Sequence, residues 1–238
     1  MNVVIPMAGK STAFKEAGIK TPKPFLDIKG KTMVQRAYES IGIDANYYFI
    51  ILREHDEKYG VYELINKFCP EAKVLYVEEV TSGPAETLFV SKKFIPNNEP
   101  MIQTNVDQIL DWEPKRFLKY ISKEKPDSAV VTKYTVDPHY SFIRVDQFNN
   151  GELLKEKEVC SCHGLIGTHY WKKAKYFFDS FLGAKKKGYR YNDEIYVSLT
   201  FNDLIDRGLT VKNYCLKQHE IQHVIGSPDE LKIYEGKL

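Results

Sequence analysis

Short, wholly apolar segments alternate with amphipathic ones from the second residue onward, and this rhythm restricts the fold more than any other feature of the chain. Residues 3–7, 47–52, 73–77 and 101–104 read as strands. Helical patterns fall between them, at 33–41, with Met33, Ala37 and Ile41 on one face, at about 54–68, and at 83–94. Strand and helix in strict alternation predict a largely parallel sheet covered by helices. The second half is expected to differ. Residues 128–136 and 141–147 read as an antiparallel pair turning at Asp137-Pro138-His139, and Asn149-Asn150-Gly151 as a further tight turn. A strand at 166–171, helices near 172–187 and 192–206, and a strand at 211–216 complete the expectation. A chain of 238 residues without repeats or linkers suits one large α/β domain over 1–238 better than two.

Composition removes several classes of function. Hydrophobic residues make up 43% and charged residues 28%, which is ordinary for a globular protein. No apolar run reaches the roughly 18 residues of a membrane span. The start, Met1-Asn2-Val3-Val4-Ile5-Pro6, lacks the basic flank of a signal peptide and reads as a first strand, so a cytoplasmic protein with no membrane partner is expected. A net charge of +2, with scattered lysines and no interleaved aromatic ladder, argues against a nucleic-acid partner. The run Lys185-Lys186-Lys187 before Gly188 reads as a solvated helix end. Cys160-Ser161-Cys162-His163 is the one close cysteine group, and a structural zinc site needs a second pair, so reduced thiols are expected.

In open α/β sheets ligands bind beyond the carboxyl ends of the strands, and three features fall there. The first is the small-residue loop from Ala8 through Gly9, Lys10 and Ser11 to Phe14, where backbone N–H groups can approach phosphate and a lysine supplies countercharge. It resembles the end of a Walker A loop, but the glycine that motif requires falls on Val4, which excludes a P-loop NTPase. The second is Thr21-Pro22-Lys23-Pro24-Phe25, whose prolines stiffen the backbone that presents Lys23. The third is Asn105-Val106-Asp107, where two polar side chains two residues apart share a face and one offers a carboxylate to a hard cation.

Taken in order, the motifs resemble the nucleotidyltransferase family that joins an NTP to a sugar phosphate. They are Pro6-Met7-Ala8-Gly9, Pro22-Lys23-Pro24 with Asp27 and Gly30, Gly83-x-Ala85-x-Thr87, Asn105-x-Asp107-Gln108, Glu156-Lys157, Ile166-Gly167-x-x-Tyr170-Trp171, Asn192-Asp193-Glu194-x-Tyr196 and Gly226-Ser227-Pro228-x-Glu230-Leu231. The likeness spans nearly the whole chain and is nearest to bacterial members associated with capsule and lipopolysaccharide. It implies a three-layer α/β/α, Rossmann-like fold with a mixed, mostly parallel sheet. Residues up to about 125 would form the nucleotide side, and the rest the sugar-phosphate side. It further implies that Ala8, Gly9, Lys10, Ser11, Gly83 and Asn105 hold the nucleotide. Lys23 would neutralise its phosphates, and Asp107 would bind Mg²⁺. Lys157 would hold the sugar phosphate, Glu156 and Glu194 would contact sugar hydroxyls, and Gly167 would leave room for the ring. Because neighbours in a regular strand point to opposite faces, having both Glu156 and Lys157 in the site requires a bulge or loop there. Glu86 falls in the segment that reads the base in relatives; a carboxylate accepts but does not donate, which suits the amino groups of guanine or cytosine and so GTP or CTP. Homo-oligomers are compatible with the 29 phenylalanines and tyrosines (16 Tyr, 13 Phe).

Three positions depart from the family pattern. Its loop reads Gly-x-Gly-x-Arg, and here those positions are Gly9, Ser11 and Ala13; many members also carry an aspartate two residues before the late glycine, where this chain has Val224. Lys10, Lys15 or Lys20 would have to supply the missing charge, without the planar fork of arginine. Two other readings follow: a catalytically impaired paralogue that binds a nucleotide and acts through a partner, or a glycosyltransferase of related fold. Pro22-Lys23-Pro24 argues against the last, since such enzymes need no cation for a leaving pyrophosphate.

Overall fold

The computed structural model describes residues 1–237. The first half of the chain contains β1 (Asn2–Pro6), α1 (Thr12–Glu16), β2 (Asp27–Ile28), β3 (Lys31–Thr32), α2 (Met33–Ile41), β4 (Asn46–Leu52), α3 (Arg53–Tyr59), α4 (Val61–Phe68), β5 (Lys73–Val77), α5 (Pro84–Phe89) and β6 (Met101–Thr104). The second contains β7 (Gln108–Asp111), α6 (Pro114–Glu124), β8 (Ser128–Tyr134), β9 (Phe142–Val145), β10 (Gly151–Lys155), β11 (His163–Trp171), α7 (Ala174–Lys187), α8 (Val197–Asp206), β12 (Val211–Cys215), β13 (Ile221–Val224) and α9 (Pro228–Glu235).

β1 lies between β4 and β6, parallel to both, and Val3, Val4 and Ile5 are completely buried. β5 extends the parallel set beyond β4. Beyond β6 the direction changes, because β11 runs antiparallel to β6 and also to β8 and β9. β10 then adds to β9, and β12 joins β8 in parallel. Strands from both halves thus share one mixed sheet.

The apolar runs read from the sequence divide by the two-residue period of a strand. Along β4, Tyr48, Ile50 and Leu52 enter a core with Phe177, Phe181 and Phe201 of α7 and α8, whereas Tyr47, Phe49 and Ile51 enter one with Val61, Ile65, Phe117 and Ile121 of α4 and α6. Two cores on opposite faces of one sheet make the expected three-layer α/β/α arrangement. Local signals agree with it: α2 starts where the Thr32 hydroxyl accepts the Gln35 N–H and stops at Gly42, which is left-handed at φ 60°.

Three expectations are corrected. The segments 128–136 and 141–147 do not pair with each other, because β11 lies between β8 and β9 and bonds to both; this long, almost wholly buried strand satisfies two neighbours that a local hairpin would have left as edges. The helix expected over 54–68 is two, since Gly60 at φ 60° ends α3 and opens α4. The helix expected from 192 begins only at Val197, because Asn192 and Asp193 both take positive φ and close a tight turn in which Tyr191 and Glu194 exchange both backbone hydrogen bonds. The strands β7 and β13, which pair antiparallel, and the helix α6 were not foreseen. No described helix is long and apolar enough to cross a membrane.

Candidate active site

Beyond the carboxyl ends of β1 and β6 the sheet opens into a cleft of about 840 Å³. One wall is built by the first half of the chain. β1 ends at Pro6, and the following loop carries Ala8, Gly9, Lys10 and Ser11 along the cleft. Ser11 caps α1 with φ 54° and ψ 40°, a left-handed conformation that glycine adopts freely and serine does not. Its hydroxyl accepts the Lys23 backbone N–H at 3.0 Å, tying the loop to the proline segment. There Lys23–Phe25 makes a single 3-10 turn, and the Lys23 ammonium reaches Asp107 Oδ2 at 2.7 Å. Both side chains are 20% exposed, so this pair lies half-buried in the floor.

Asp107 stands just past β6, and its carbonyl accepts the N–H of Ile225, at the end of β13. That contact brings Val224 into the cleft beside Asp107. Asn105 also lines the cleft, with Oδ1 accepting from Gln103 Nε2 at 2.8 Å. Its side chain fills the space over Gly167, where φ is +75° and an added Cβ would lie 2.4 Å from Asn105 Nδ2. Gly167 is therefore required by Asn105 and by its own backbone, and it lines the cleft beside that amide.

The opposite wall comes from the second half. Glu156 and Lys157 follow the end of β10, and Lys157 takes φ 52°, the irregularity the sequence demanded if both were to face one site. Lys157 has no carboxylate partner among the described residues, and its ammonium lies 5.6 Å from the ring centre of Tyr191 and 5.9 Å from that of Tyr196. Aromatic faces attract a cation without neutralising it, so this charge remains available to an anion. Glu156 is 7% exposed. Burial raises its pKa, against the pull of hydroxyl donors Ser141 and Ser198 and of Lys157. Glu194 lines the cleft from the tight turn before α8, and Gly83 packs against it, since a Cβ at 83 would lie 3.2 Å from Glu194 Cβ. That contact and the bond from the Ala85 N–H to the Ile195 carbonyl at 3.1 Å join the two walls. Tyr196 beside it has its pKa pushed up to about 12 by burial and by the charges of Glu194 and Glu156.

The structure therefore brings twelve of the thirteen expected residues to one cleft and leaves one outside it. Glu86 does not line the cleft; its carboxylate accepts from the Ser82 N–H at 2.7 Å and the Ser82 hydroxyl at 2.6 Å. Those bonds hold its pKa below the usual carboxylate range. Of the lysines considered in place of the family arginine, Lys10 lines the cleft and Lys15 and Lys20 do not, and Ala13 is exposed outside it. Sequence reasoning missed Gln103, Tyr140, Ser141, His169 and Ser198, all of which line the cleft. The alternation of β6 and β11 could have placed Gln103 and His169 on a common face, and they are cross-strand partners. Nothing local marks the serines.

No family model matches the chain. It is 25% identical over 182 residues to "Bifunctional protein GlmU" of Methanocaldococcus jannaschii, an alignment covering 75% of this chain and 41% of that protein. The chain thus spans less than half the length of that relative. The nucleoside-diphosphate-sugar pyrophosphorylase from Vibrio cholerae RC9 superposes with a TM-score of 0.87 at 21% identity, over 98% of this chain and 99% of that one. The inositol-1-phosphate CTP transferase from T. maritima superposes at 0.79 with 16% identity, over 99% of this chain and 95% of that one. The chain thus shares the fold of these two solved proteins, and over 182 residues its sequence is similar to the Methanocaldococcus jannaschii protein.

Proposed function

We propose that the protein is a nucleotidyltransferase that joins an NTP to a sugar phosphate, or a similar phosphorylated metabolite, with release of pyrophosphate. One observation carries the reading: a half-buried lysine–carboxylate pair, Lys23 with Asp107, and an unneutralised lysine, Lys157, line the same cleft from opposite walls. A lysine on each wall of one cavity suits a ligand with phosphate at its middle. The Ala8–Ser11 loop would lie along the triphosphate, Lys157 would hold the incoming phosphate, and Glu156 and Glu194 would accept from hydroxyls of the sugar. An oxygen of the sugar phosphate attacks the α-phosphorus, the bond to the bridging oxygen breaks, and pyrophosphate leaves with its electron pair. Such a transfer relies on positioning and charge neutralisation, not on a covalent nucleophile.

Magnesium fits this donor set in a limited way. Mg²⁺ takes one or two carboxylates and completes its shell with phosphate oxygens and water. Asp107 has Oδ2 bonded to Lys23 and no hydrogen bond to Oδ1, and no cluster of three potential ligands exists among the described residues. Asp107 alone would hold the ion, and the ion would neutralise phosphate charge. Lys23 then competes with it for the same carboxylate. The preference for CTP or GTP rested on Glu86, and with that side chain bonded to Ser82 the nucleobase choice falls to the loop around Gly83 and Thr87, which lines the cleft.

A second reading, an impaired paralogue that binds nucleotide without turning it over, is favoured by Ala13 and Val224, which remove a cation and a carboxylate from the family pattern. Pyrophosphate release, measured for each NTP with Mg²⁺ and a panel of sugar 1-phosphates, separates the two. Release in one combination supports transfer. Absence of release, with thermal stabilisation by a nucleotide, supports the paralogue. Absence of both overturns the two readings together.

A further inference from the structure

Glu156 is held in an unusual way. The hydroxyls of Ser141 and Ser198 both donate to Oε2, Ser198 at 2.6 Å, whereas Oε1 has no hydrogen-bond partner among the described residues. The two serines come from separate elements, one just before β9 and one in the first turn of α8, and each lines the cleft. A free glutamate samples several rotamers, and burial takes that freedom away. Two donors converging on one oxygen fix the rotamer and leave the second oxygen as the sole acceptor.

We propose that Ser141 and Ser198 are positioning residues that clamp Glu156 by one oxygen and present Oε1 to a hydroxyl of the ligand. The inference rests on the sugar-phosphate reading above for the identity of the ligand, but not for the clamp itself. Hydrogen bonds to a charged group are the stronger kind, so each serine also favours the ionised carboxylate against the burial that opposes it. The titratable groups around Glu156 come from every side. Lys157 adjoins it in the chain, and Tyr196 and Glu194 approach from the segment before α8. His169 lines the same cleft from β11, and Lys155, Glu158 and Arg190 line a smaller cavity of about 290 Å³ on whose wall Glu156 also stands.

The test is a carboxyl NMR titration of the ligand-free protein labelled at glutamate side chains, with the Glu156 signal assigned by its loss in Glu156→Gln. Removing either hydroxyl in Ser141→Ala or Ser198→Ala should raise the Glu156 midpoint by about one pH unit, the equivalent of one charged hydrogen bond. Ser198→Thr should return it toward the wild-type value. Loss of packing alone would not move the midpoint in that direction and be rescued by a hydroxyl. Midpoints in both alanine variants within about 0.3 unit of wild type would overturn the clamp; if one variant fails to fold, the other decides. Calorimetric binding of glucose 1-phosphate and other hexose 1-phosphates forms a separate arm. There the acid limb of affinity should move upward with the midpoint, and at pH values below the wild-type midpoint affinity should fall by up to about tenfold in either alanine variant. A shifted midpoint with no hexose phosphate bound by any form would sink the sugar-phosphate reading and leave the clamp standing.

Discussion

Replacing Gly167 by alanine distinguishes two roles for the same glycine. If it merely left space for a ligand, the ligand-free protein would keep its stability and only binding would suffer. The structure says otherwise, because the added Cβ would meet Asn105 Nδ2 at 2.4 Å and Cγ at 2.8 Å, on a backbone at φ +75°. Placing an L-residue in the left-handed region costs roughly 1–2 kcal/mol. Displacing Asn105 breaks the 2.8 Å bond from Gln103, which is itself buried, and a lost hydrogen bond of this kind costs about 1 kcal/mol. The sum is about 2–3 kcal/mol, or roughly 5–10 °C of melting temperature for a chain of this size. Thermal unfolding without ligand should show that loss in Gly167→Ala. Asn105→Ala with Gly167→Ala should melt higher than the two separate losses predict, because the clash is gone and the backbone cost remains. A melting temperature for Gly167→Ala within about 1 °C of wild type would refute the reasoning.

Ser11 is left-handed and its hydroxyl accepts the Lys23 N–H. Ser11→Ala, which keeps the strain and loses the bond, should therefore be less stable in urea unfolding than Ser11→Gly, by about 1 kcal/mol. Burial lowers the pKa of His169 to about 3, below its usual 6.5. The unfolded chain therefore takes up that proton first on acidification, and stability is lost as pH falls from 6.5. By pH 4 this loss is about 3 kcal/mol, and His169→Gln should remove that part of the difference between urea unfolding at pH 7 and at pH 4. Glu86, held by Ser82 with a depressed pKa, stabilises above the ordinary carboxylate range and loses that contribution as pH falls. Glu86→Gln should thus lower the melting temperature more at pH 7 than at pH 3, and leave the order of preference among NTPs unchanged in competition binding.

What the sequence made legible follows from which interactions are local. β1, β4, β5 and β6 are apolar runs with no competing pattern, and α2 carries its own cap and stop, so these elements need no distant partner to be recognised. The meeting of Lys23 and Asp107 was readable because each stands at a strand end or a stiffened loop, and in such folds those ends meet; Lys157 was legible only through the family resemblance. What failed depended on pairing across long intervals. The separation of β8 from β9 follows from β11, some twenty residues later, which bonds to both. Asn192 and Asp193 carried turn chemistry that a helical pattern overrode in the reading, though both are residues that tolerate positive φ. Gly167 announced a special backbone but not its occupant, Asn105, which lies 62 positions away in sequence (167 − 105). Glu86 stands outside the cleft, where Ser82, four residues earlier, holds its carboxylate, and nothing local in the sequence marked that placement.

The central claim is that one ligand bridges Lys23 and Lys157 across a single cleft. Calorimetric titration of a panel of NDP-sugars into wild type, Lys23→Ala and Lys157→Ala tests it without requiring turnover. Each lysine removes one charged contact to phosphate, so each variant should bind the best NDP-sugar roughly tenfold or more weakly. An NDP-sugar that binds wild type and either variant equally well would contradict the account.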